Sequence, residues 1–92
     1  YSEPALNELY QLLRSRPKQR IRIIGHTDDI GSDRSNQLLS EGRCQSVRQA
    51  MIERGINPER IDIEGRGEKD PIVPNDSDEH RQMNRRVEIE LL

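Results

Sequence analysis

Asp28 and Arg43 are the side chains of this sequence whose types and placement could do specific chemistry, and that chemistry is the capture of a zwitterion. On a helix turning about 100° per residue from Leu39, Ala50, Val47 and Met51 fall in one arc, Cys44 at its margin, and Arg43 inside it. An arginine aimed at a sheet needs a partner, because an uncompensated buried charge costs about 3–5 kcal/mol. Helical side chains lean toward the N-terminus, so this guanidinium points back to the preceding loop, which carries Asp28, Asp29 and Asp33. Asp28 is nearest the carboxyl end of the strand before the loop, where such crossovers form ligand crevices. The helix N-terminus adds spare N–H groups and the positive end of a dipole. An acceptor for an ammonium beside a planar donor for a carboxylate suits a zwitterion. The same two groups could instead form an internal ion pair that ties loop to helix.

Other polar residues have plainer readings. His26 follows the strand and reads as loop packing, and His80 as a solvated side chain. Asn84 can bond loop backbone, and Asn75 can organise the long loop. Alternation along the last strand lets Arg86 point into the cleft floor or serve as support, with Arg85 on the opposite side. Cys44 reads as a small packing residue rather than a nucleophile, though an oxidising compartment would make it a sensitive thiol. Two His and one Cys lie far apart without ligand spacing, the Asp28–Asp33 loop lacks the pattern of a calcium hand, and Gly65-Arg66-Gly67 lacks the third glycine of a dinucleotide fingerprint. No metal or cofactor is expected.

Short elements must position these groups. Ser2 can cap a helix over about 3–15, with Leu6, Leu9, Leu12 and Leu13 at helical spacing until Pro17. Arg20-Ile21-Arg22-Ile23-Ile24 alternates as a strand ending at Gly25. Residues 26–35 read as a loop, and Asn36 opens a helix to about Arg54, closed by Gly55. After the Asn57-Pro58 turn, Arg60-Ile61-Asp62-Ile63-Glu64 makes a second strand. Residues 68–83 read as a long loop with one helical turn near Ser77–Gln82, and 86–91 as a last strand. Strand, helix, strand in that order gives a right-handed crossover and an α+β fold, two helices on one face of a small mixed sheet.

At 92 residues the chain has the size of one small domain, residues 1–92. Hydrophobic residues are 30% and charged ones 35%, with no Trp or Phe, so the core must be a thin layer of Leu, Ile and Val. The 15 basic and 17 acidic residues are interspersed, which leaves no electrostatic footprint for nucleic acid. One cysteine excludes an intrachain disulfide. No apolar run approaches the roughly 20 residues that cross a bilayer as a helix, and no signal peptide opens the chain. Without an initiator Met the sequence reads as an excised or processed domain, any export signal or membrane anchor lying outside it.

Three strings stand in order: Gly25-His26-Thr27-Asp28, then Asn36 with Leu39-Ser40, Arg43 and Val47, then Asn84-Arg85-Arg86-Val87. Together they resemble the OmpA-like peptidoglycan-binding domain of bacterial envelopes, the OmpA, Pal and MotB type, over roughly residues 5–91. The resemblance implies a βαβαβ-type two-layer sandwich, and in the family a further strand precedes the first helix and its loop contributes to the ligand site. Neither is in this sequence. It also implies a noncatalytic module that anchors an envelope protein to the cell wall by recognising the diaminopimelate of the peptidoglycan stem peptide. Asp28 would take the ammonium and Arg43 the carboxylate, with Thr27 and Asn36 as secondary contacts and Arg86 in the cleft floor. The implied location is the periplasm of a Gram-negative bacterium, tethered to the outer or inner membrane. A degenerate module for protein contact or homodimerisation is the alternative. An enzyme on the same polymer, with Asp28 and Glu68 as acid and base, is disfavoured because pairing with arginine lowers the pKa of Asp28.

Overall fold

The computed structural model describes residues 2–92. Helix α1 spans Glu3–Ser15, strand β1 Ile21–Gly25, helix α2 Asp33–Glu53, strand β2 Ile61–Gly65, helix α3 Asp78–Asn84 and strand β3 Val87–Leu91, with a 3-10 turn at Pro58–Arg60. The sheet order is β2-β1-β3. β1 pairs parallel to β2, with Ile23 opposite Ile63, and antiparallel to β3, with Ile23 opposite Ile89.

Alternation sorts the two sheet faces. Ile21, Ile23 and Ile61 point toward the helices, into a core with Leu9, Leu13, Cys44, Val47, Met51 and Ile56. The opposite face is ionic: Arg22 reaches Glu90, Arg20 reaches Asp62, Arg66 reaches Glu64, and Arg86 reaches Glu88. Arg60 closes α1 by donating to the carbonyls of Leu13 and Arg16, each at 2.7 Å, groups that a helix C-terminus leaves without partners.

α2 begins three residues before Asn36, because the Ser32 hydroxyl caps it by accepting the Ser35 N–H at 3.1 Å. Its buried stripe runs through Asn36, Ser40, Cys44, Val47 and Met51. Leu39, expected in the apolar arc, is 46% exposed, while Cys44, expected at the margin, is fully buried. The helix is therefore rotated from the expected wheel, and Arg43 lies on its flank, half-buried. Close approach fixes that rotation. A Cβ on Gly25 would lie 2.6 Å from the Ser40 carbonyl and 2.8 Å from Cys44 Sγ, and one on Gly65 only 2.7 Å from Ser40 Oγ.

The two sheet edges differ. At β2, Arg48 donates to the Ile61 carbonyl at 2.9 Å, and Gln37 donates to that of Gly65. At β3 the pairing of His26 N–H with the Arg86 carbonyl, and of Leu92 N–H with that of Arg20, turns the even residues toward β1. The backbone groups of Val87, Ile89 and Leu91 then point outward.

Candidate functional site

β1 ends at Gly25 and delivers His26, Thr27 and Asp28 into a loop that is buried up to Asp28. Three bonds fix that loop from behind. Thr27 N–H donates to the Gly67 carbonyl at 2.8 Å, Thr27 Oγ1 donates to the Asp28 carbonyl at 2.9 Å, and Asn36 Nδ2 donates to the same carbonyl at 3.3 Å. Thr27 and Asn36, expected as secondary ligand contacts, are thus both buried and both spend a donor on the Asp28 backbone.

The Asp28 side chain is 10% exposed. Its Oδ1 accepts the Ile30 N–H at 3.0 Å, and its Oδ2 accepts Arg85 Nη1 at 2.6 Å. Burial would raise its pKa, but the Ile30 N–H and the Arg85 guanidinium outweigh burial and hold the carboxyl below its ordinary value. Here the structure departs from the expected partnership: the arginine bonded to Asp28 is Arg85, not Arg43. Arg85 caps the C-terminus of α3, before β3 begins, so strand alternation does not decide its direction.

Arg43 has no hydrogen bond or ion pair among the described residues. It lines an open groove of about 480 Å³ with Arg85, Arg86 and Val87, and through Val87 this continues into a smaller groove walled by Leu6, Ser46 and Val47. Arg86 is fastened: Nε donates to Glu88 at 2.8 Å, Nη2 to the Asp70 carbonyl at 3.0 Å, and Nη1 to the Asn84 carbonyl at 3.4 Å. Arg86 is thus both tied down by these bonds and part of the groove lining, so neither of its two expected roles is singled out. Another groove, about 660 Å³ between Gln45, Arg48 and Gln49 of α2 and the β2 edge, holds neither Asp28 nor Arg43.

The helical turn expected near Ser77–Gln82 is α3, capped by Ser77 and running to Asn84, and His80 sits on it bonded to Asp76 at 2.6 Å rather than merely solvated. Asn84, fully buried, accepts the Ile72 and Val73 N–H groups and donates to the Val73 carbonyl and Asn75 Oδ1. It thereby sets the long loop and, next in sequence, Arg85. His26 is buried and bonds Glu88 at 3.1 Å, and Arg86 first, then His26, hold the Glu88 carboxyl below its ordinary value against burial. The described residues contain no group of three His, Cys, Asp or Glu placed to hold a metal.

The family model described as OmpA family matches residues 1–85. The chain belongs to the OmpA family. This OmpA-family chain is 41% identical over 87 residues to outer membrane protein A of Bordetella avium, covering 95% of the chain and 45% of that relative. The peptidoglycan-associated lipoprotein of Burkholderia pseudomallei superposes with a TM-score of 0.89 at 26% identity, covering 95% of the chain and 74% of that structure. The cell wall anchor of the T6SS from Pseudomonas aeruginosa superposes at 0.81 with 34% identity, covering 95% and 63%. The chain spans 11% of the first curated relative and 45% of the second. The likeness bears out the α+β architecture with its open three-stranded sheet.

Proposed function

We propose that this OmpA-family domain is a noncatalytic module that binds peptidoglycan and anchors an envelope protein to the cell wall, taking the zwitterionic end of diaminopimelate in the stem peptide. The observation that carries this reading is an ionised, nearly buried Asp28 bonded to Arg85, which lines a groove together with Arg43, itself without a partner among the described residues. Asp28 would accept the ammonium and Arg43 the carboxylate, with Thr27 and Asn36 holding Asp28 and Arg86 forming the groove floor. The names of its relatives, a peptidoglycan-associated lipoprotein and a cell wall anchor, support a wall partner and a periplasmic location. Among the described residues no helix is long and apolar enough to cross a membrane. Catalysis is disfavoured, because a carboxyl held below its ordinary pKa is a poor general acid at neutral pH.

Titration with a tripeptide ending in diaminopimelate, followed by amide NMR, tests the reading. Shifts should cluster at residues 27–43 and at Arg85, and vanish in folded Asp28→Ala and Arg43→Ala variants. Binding that survives both would sink the assignment. One observation favours a second reading, a protein-contact or dimerising module: the outward backbone groups of β3 form an uncovered edge. Concentration-dependent sedimentation, reversed by a proline at Ile89, would support that reading.

A further inference from the structure

Both oxygens of Asp28 are already in use, Oδ1 by a backbone N–H and Oδ2 by Arg85. Each oxygen keeps a second lone pair, but an ammonium brought to Oδ2 meets a like-charged guanidinium already bonded there at 2.6 Å, and the two cations compete for it. Arg85 can leave. Its side chain is 40% exposed, and the link to Asp28 is the guanidinium's single bond among the described residues, whereas Arg86 is held by three groups. Arg85 also lines the same groove as Arg43.

We infer that Arg85 is the specificity-determining residue of this site: it occupies the ammonium position on Asp28 until a ligand arrives and, once displaced, turns to the ligand carboxylate beside Arg43. The inference rests on the wall-peptide reading above. An ammonium without a carboxylate exchanges one cation for another on Asp28 and strands Arg85 among Arg43 and Arg86, where like charges repel. A carboxylate without an ammonium meets Arg43 while Arg85 stays engaged. A zwitterion satisfies all parties: Asp28 keeps a cation, Arg85 regains a carboxylate, and Arg43 gains one. The preference for both charges on one carbon thus comes from the exchange as well as from the two anchors.

The test compares two tripeptides, one ending in diaminopimelate and one with lysine in its place, titrated calorimetrically into wild type, Arg85→Gln and Arg85→Lys. Arg85→Gln should bind the lysine peptide more tightly and the diaminopimelate peptide less tightly, so that the ratio of affinities falls about tenfold or more. Arg85→Lys, which keeps a competing cation, should still exclude the lysine peptide. In wild type the Arg85 Nε–H resonance should move with the diaminopimelate peptide and stay still with the lysine one, a readout that needs no variant. An unchanged ratio in a folded Arg85→Gln, or a stationary Arg85 resonance while the peptide binds, would overturn the exchange and leave the wall-binding reading standing. No binding of either peptide to wild type would overturn the wall-binding reading and the exchange with it.

Discussion

Arg43 is a half-buried guanidinium with no anionic partner among the described residues. A group kept for stability loses fold energy when removed, whereas one kept for a ligand does not. Arg43→Ala should therefore change the unfolding free energy measured in urea by less than about 0.5 kcal/mol while abolishing peptide binding. Arg43→Lys should remain folded and bind poorly, because an ammonium lacks the planar two-point grip on a carboxylate; calorimetry showing wild-type affinity would rule out that geometry. Asp28 carries the opposite signature. Its folded pKa lies below its unfolded one, so its link to Arg85 contributes stability above the unfolded pKa, and that contribution is lost as pH falls through the folded value. Carboxyl NMR should find the Asp28 titration moved upward in Arg85→Ala, and peptide binding should fade over the same acid range. Asp28 and Arg43 could be picked out from residue type and spacing. Arg85 could not, because reading residues 86–91 as a strand assigned it the opposite face, and only the end of α3 turns it toward the loop.

The rotation of α2 depends on two glycines more than on its apolar residues. Gly25→Ala would drive a methyl into the Ser40 carbonyl, backbone that cannot swing aside, and should lower stability by about 1–3 kcal/mol in urea denaturation. It should also disturb the site, since Ser40 lies one turn before Cys44 and beside Arg43's own turn. Alternation made the three strands legible to within a residue or two, and helical spacing did the same for α1. The start of α2 was misjudged because Asn36 has the chemistry of a cap while Ser32 performs it. α3 was legible only as one helical turn near Ser77–Gln82 because it is too polar to show a period, and Asn84 was legible as a loop-backbone partner but not as a fully buried one.

Across the molecule, two helices cover one sheet face and ion pairs cover the other, so stability rests on one thin apolar layer. A site of two or three charged bonds to a small, partly solvated fragment binds weakly, and retention on a repeating polymer would come from many tethered copies. Composition anticipated the thin layer; the uneven protection of the two sheet edges depends on side chains of α2 and was not visible before the fold. The fully buried Cys44 has one more consequence. Its thiol lies under Gly25, faces the Glu64 carbonyl at 3.6 Å, and is pushed up in pKa by burial. A thiol reagent can reach it only when α2 lifts from the sheet, so labelling should run at the rate of opening and slow in step with any stabilising ligand. Alkylation followed by mass spectrometry would then serve as a built-in clock of unfolding, and a disulfide-linked pair of chains would record molecules that had opened first.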